Sequence, residues 1–126
     1  MSATYPEIVQ KYIHHYNRKN VAELLDLFTE GAIFESVSGT SGVIRTQGKE
    51  ELRQLAIMTV EFFEERRQTP VSWVVDGPHV ALEIEYWCRL AKDLPDGKKA
   101  GEEVQLRGAS FFTIDHGRIS RLADYM

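Results

Sequence analysis

The sequence predicts an α+β fold, with helices packed on one side of an antiparallel sheet. Two observations carry that expectation. The first half of the chain holds three stretches whose apolar residues recur at helical spacing, and from Val71 onward nearly everything reads as strand. The 126 residues, 43% apolar and 27% charged, suit one domain over residues 1–126 with one core. Neither an internal repeat nor a low-complexity linker interrupts them.

The first helix is expected over Pro6 to Asn17. Pro6 suits a first turn, where its missing N–H costs nothing, and Ile8, Val9, Tyr12, Ile13 and Tyr16 form one apolar stripe. After the polar break NRKN, Asn20 and Glu23 stand at capping-box spacing. They predict a short second helix, Val21 to Phe28, closed by Gly31 as a left-handed C-cap. Ala32 to Val37 alternates and reads as a strand. Ser38 to Gln47, rich in Gly, Ser and Thr, reads as a loop. The third helix is expected from Gly48 to Arg66, with Leu52, Leu55, Ala56, Thr59, Phe62 and Phe63 as its stripe. Arg66 and Arg67 there complement the helix dipole, and Pro70 ends the helix.

Four strands then follow as a meander. Val71 to Asp76 turns at Gly77-Pro78 into His79 to Lys92, which places Leu82, Ile84, Tyr86 and Cys88 on one face and Glu83, Glu85, Trp87 and Arg89 on the other. Asp93 to Glu103 is a polar tip with a Pro-Asp-Gly turn. Val104 to Tyr125 is a hairpin around Gly117. Continuing its pleat from Leu106, Phe112 and Ile114 puts Leu122, Asp124 and Met126 on the inner face.

A net charge of −4 with scattered basic residues argues against nucleic acid or an anionic membrane as partner. The apolar runs fall short of the roughly 20 residues that a spanning helix needs. The single cysteine, Cys88, permits no intrachain disulfide and suits a reducing, cytoplasmic setting. The start MSATYPEI has no signal-peptide pattern. No nucleotide fingerprint, nucleophile elbow or phosphate loop is present, so no cofactor is expected. His14 and His15 are adjacent and diverge on a helix, and no His, Cys and carboxylate cluster has metal spacing, so no metal site is expected.

The Tyr-bearing first helix ending in NRKNVAELLDLFTEGAIFE, the QGKEEL start of the third helix and the ending RGASFFTIDHGRISRLADYM resemble the nuclear transport factor 2-like superfamily, in particular its SnoaL-like branch. The resemblance spans essentially the whole chain. It implies a cone-shaped fold whose curved sheet and three helices enclose a pocket, polyketide cyclase-like or isomerase-like chemistry among its functions, and a homodimer through the sheet. The stretch VQKYIHHYN is also similar to the first helix of ketosteroid isomerase, a distant relative, and puts Tyr12 at that enzyme's oxyanion-donating tyrosine. Its two catalytic aspartates would fall near Ser36 and near Ala109 or Ser110, so both carboxylates are missing. Steroid isomerisation by that mechanism is therefore not expected.

Asp124 is the leading candidate for chemistry. A carboxyl among apolar neighbours holds its proton to higher pH and can transfer it near neutrality. The plain alternative is a solvated C-terminal acid, or one paired with Arg107 if a bulge at Gly108 turned that arginine inward. Tyr12 is the candidate donor to a carbonyl or enolate oxygen. A core tyrosine with a backbone partner is its plain alternative. Tyr16, Glu35, Phe62, Tyr86, Phe112 and Leu122 are candidate substrate contacts. Glu35 also reads as an ordinary strand-edge carboxylate. Trp73 and Trp87 are expected on the outer sheet face, under a second subunit. The reading is an uncharacterised SnoaL-like protein with an apolar pocket for a small carbonyl-containing molecule. It is either a cofactor-free isomerase, cyclase or dehydratase using Asp124 and Tyr12, or a non-catalytic binding or dimerisation module of the same fold.

Overall fold

A computed structural model describes residues 4–39 and 42–126, with the side chains of Thr4 and Tyr5 left aside. The first three residues of the N-terminal reading, and positions 40 and 41 of the expected loop, lie outside the described residues. Helix α1 spans Thr4–Asn17, and its stripe buries Ile8, Val9, Tyr12 and Ile13. It closes at Lys19, which adopts a left-handed conformation (φ 59°). The Lys19 N–H donates to the Tyr16 carbonyl at 3.1 Å and the Asn20 N–H to the His15 carbonyl at 2.9 Å. That is a Schellman closure, and it draws the Asn20 side chain to His15 Nδ1 at 3.3 Å. The expected capping box does not form, because Asn20 makes no side-chain cap bond to α2.

Helix α2 covers only Val21–Leu25, with Leu24 and Leu25 inward. Phe28, expected at its end, instead begins strand β1 (Phe28–Ser38) by pairing with Ile119. Gly31 lies inside that strand and is not left-handed. Residues 42–47, read as loop, form strand β2 (Gly42–Gln47), antiparallel to β1. As an edge strand it leaves Val43 and Ile44 exposed, which explains the absence of a clear burial alternation.

Helix α3 is Lys49–Val60 and stops before its expected end at Arg66. Strand β3 runs from Phe63 to Asp76, and its later half is rich in β-branched and aromatic residues, which favour extended chain. Pro70 therefore stops no helix. It sits within β3, an edge strand of the sheet, where a missing N–H is tolerated. An irregularity between Pro70 and Ser72 shifts the pleat. It turns Trp73 onto the core rather than to the outer face expected for it.

Strands β4 (His79–Leu90), β5 (Glu103–Asp115) and β6 (Arg118–Tyr125) complete a six-stranded curved sheet of order β2-β1-β6-β5-β4-β3. All neighbours are antiparallel except β1 and β6, which run parallel. The expectation of an all-antiparallel sheet is corrected accordingly. The tight β5–β6 turn needs two left-handed residues, His116 (φ 51°) and Gly117 (φ 79°). The core lies between the sheet's inner face and the helices, around Val9, Phe28, Ala32, Ile84, Ile119 and Leu122.

Candidate functional site

The parallel seam between β1 and β6 and the β5–β6 hairpin place Asp124 between two serines. Ser36 is its neighbour on β1 and Ser110 its neighbour on β5. Paired residues share a sheet face, so all three point toward the helices. Ser36 stands where the resemblance to ketosteroid isomerase would put one acid, and Ser110 is one of the two positions, with Ala109, that it offers for the other. Asp124 is 9% exposed, and Ser110, fully buried, donates its Oγ–H to Oδ1 at 2.6 Å. Among the described residues no donor reaches Oδ2, and no arginine or lysine pairs with the group. Burial pushes its pKa up from 3.8 to about 6, against the smaller downward pull of the Ser110 hydrogen bond.

Asp124 opens on a cavity of about 300 Å³ between α1, α3 and the inner face of the sheet. Its walls include Leu52 and Leu55 of α3, Phe34 of β1 and Leu122 of β6. Tyr12 reaches it from α1, clamped edge-on by Phe28 and Phe112 at ring-centroid distances of 5.9 and 5.5 Å. The Tyr12 hydroxyl has no hydrogen-bond partner among the described residues. Its pKa is driven well up, first by burial and then by the neighbouring Asp124 charge, so the phenol keeps its proton. One turn on, Tyr16 donates its O–H to the Tyr86 hydroxyl at 3.1 Å. Burial raises both of these phenols too.

Among the lining residues that the sequence expectations did not place at the site are two of β3. Arg66 and Gln68 lie on the inner face of β3, opposite Cys88 and Tyr86. Arg66 is 5% exposed. Its guanidinium carbon sits 3.6 Å from the centroid of the Tyr16 ring, and its Nε donates to the Tyr16 carbonyl at 2.8 Å. It does not serve the α3 dipole, because α3 ends before it. Reading residues 63–70 as strand rather than helix tail would have put Arg66 and Gln68 together on one face.

Of the expected contacts, Tyr16, Tyr86 and Leu122 line the cavity. Phe112 does not. It is buried behind Tyr12 and holds that ring in place. Phe62 is also outside, at the end of α3 with Lys92 Nζ 5.6 Å from its ring. Glu35 stands on the outer face, because its β6 partner is Ala123 rather than Asp124. There it pairs with Arg121 at 2.9 Å and Arg45 at 3.8 Å. Arg107 likewise points outward, to Glu85 at 2.8 Å and Glu83 at 3.6 Å, because β4 and β5 keep their register past Gly108. Among the described residues no three His, Cys, Asp or Glu side chains gather as metal ligands would. Nor is any described helix long and apolar enough to cross a membrane.

This α+β fold is shared with many solved structures. The chain belongs to the SnoaL-like domain family, whose model matches residues 9–122. Among similar structures is a candidate polyketide cyclase from Xanthomonas campestris, with TM-score 0.82 and 17% identity over 98% of this chain and 90% of that one. An LEH-like epoxide hydrolase from M. tuberculosis gives TM-score 0.77 and 17% identity over 98% and 82%. A protein from Catenulispora acidiphila with a ketosteroid isomerase-like fold, solved with trimethylamine, gives 0.77 and 21% over 96% and 85%. At such identities the likeness shows the fold. No curated protein matches the sequence significantly.

Proposed function

We propose that this SnoaL-like chain is an acid–base enzyme that moves a proton on a small carbonyl compound held in the cavity. One observation carries the reading: Asp124 is buried with only a serine hydroxyl for a partner, and it shares a cavity with a Tyr12 hydroxyl that has none among the described residues. The Asp124 carboxylate takes a proton from the carbon next to the carbonyl, Tyr12 donates to the oxygen as it gains charge, and Asp124 returns the proton at the product position. Ser110 keeps Oδ1 in place and leaves Oδ2 to the substrate. A carboxyl with a pKa near 6 is balanced between taking and giving a proton at neutral pH. The isomerase, cyclase and dehydratase reactions implied by the family resemblance all contain such a step.

The reading includes a second copy of the chain docked on the outer sheet face, where Val74, Phe111 and Tyr125 stay exposed. Sedimentation should give a dimer that Phe111→Asp weakens, and a monomeric wild type would remove this part.

The catalytic part is tested by incubating the protein with small cyclic ketones and 1,3-diketones in deuterated buffer and following exchange of the α-protons by NMR. Exchange above the buffer rate that is lost in Asp124→Asn supports it. Binding without exchange, or exchange unchanged in Asp124→Asn, rejects it in favour of a binding module.

A further inference from the structure

Arg66 is a buried cation for which the described protein supplies no anion. Its Nε is used by the Tyr16 carbonyl and one face of its fork is covered by the Tyr16 ring. Among the described residues no carboxylate lies within ion-pair distance, and neither Nη has an acceptor. Asp124 lines the same cavity but forms no ion pair with Arg66, and its hydrogen-bond partner is Ser110. Every other arginine whose charge is paired here meets its acid on the solvent side. Leaving a guanidinium buried without a counter-charge is costly. With Nε engaged, the end-on edge carrying both Nη groups remains, a fork that matches the two oxygens of a carboxylate.

We propose that Arg66 is the anion anchor of the cavity, and that the ligand is a carbonyl compound that also bears a carboxylate. The inference rests on the reading above. It adds that the carboxylate lies at the β3 end, against Arg66, while the reacting carbon lies toward β6 and Asp124. Arg66 thereby selects oxo acids over neutral ketones of the same shape.

The test is calorimetric binding at neutral pH of three acids, phenylacetate, 4-phenylbutanoate and 4-oxo-4-phenylbutanoate, each against its neutral amide. At least one acid should bind about tenfold or more tighter than its amide. Arg66→Gln should abolish that preference, and Arg66→Lys, which keeps the charge without the fork, should retain only part of it. In the wild type the same acid should shift and split the Arg66 Nη signals in 15N spectra, a readout independent of whether a variant folds. Acids and amides binding alike, a preference that survives Arg66→Gln, or no binding by any pair overturns the proposal. Amides binding as well as acids leaves the Asp124 chemistry standing. Acid binding through Arg66 without Asp124-dependent exchange leaves an anion-binding cavity and removes the catalysis.

Discussion

The two faces of the sheet treat charge in opposite ways. On the outer face, arginines and acids meet each other: Arg107 joins Glu83 and Glu85, Arg89 joins Glu64, Glu65 and Glu103, and Arg121 joins Glu35. On the inner face, Asp124 and Arg66 each have a neutral partner and no ionic one among the described residues. The same strands carry both sets. Glu35 and Ser36 are adjacent on β1, as are Ala123 and Asp124 on β6, so one step along the pleat separates a paired surface acid from a buried lone one. Exposed pairs sit in solvent and contribute little. Buried lone charges cost stability, so their presence around one cavity points to work on a ligand.

The largest effect that would break this contrast is catalytic. Asp124→Asn should lower Asp124-dependent α-proton exchange by about 100-fold or more, while Glu35→Gln, one pleat away, should change it less than about twofold. Equal losses in both variants would erase the distinction between the faces. Tyr12→Phe should cost less than the Asp124 change, about 10- to 100-fold in exchange rate with substrate binding retained.

Stability should move the opposite way. The folded pKa of Asp124 lies above its unfolded value, so the folded state holds the proton more tightly, and stability falls as pH rises from about 4 through about 6. Above that window Asp124→Asn should stabilise the protein by up to about 3 kcal/mol and flatten this part of the pH dependence in urea melts. A destabilised Asn variant at pH 8 would mean that the carboxylate is held by interactions other than Ser110.

A packing prediction comes next. A Cβ at Gly108 would collide with the Tyr125 carbonyl and come within 2.9 Å of Met126 Sδ. Gly108→Ala should therefore cost about 1–3 kcal/mol by forcing the end of β6, which carries Asp124, to shift. The smallest effect belongs to the outer face: Arg107→Ala should cost no more than about 1 kcal/mol, and less in high salt.

Much of this arrangement is legible in the sequence because period carries it. The α1 stripe brings Tyr12 and Tyr16 inward, and pleat parity across the Gly117 turn puts Leu122 and Asp124 on the inner face. Parity also separates Glu83, Glu85 and Trp87 from Leu82, Ile84 and Tyr86. Period fails where the pleat slips or where two periods overlap. Residues 61–66 suit the tail of α3 as well as the start of β3, so the sequence places Arg66 at a helix dipole, whereas the structure puts it at the cavity. The irregularity beside Pro70 reversed Trp73. Strand β2 buries only Thr46, too little for an alternation to show, and the Gly, Ser and Thr residues leading into it read as loop. The parallel pairing of β1 with β6 is long-range, and no local pattern announces it. That pairing decides that Ser36, and not Glu35, stands beside Asp124.

The most direct measurement is the titration of the Asp124 carboxyl carbon by 13C NMR in the ligand-free protein. A lone acid behind Ser110 should titrate near pH 6, with Ser110→Ala moving the midpoint further up as its stabilising hydrogen bond is lost. A midpoint at or below the ordinary aspartate value of about 4 would show a solvated or cation-paired group and contradict the account.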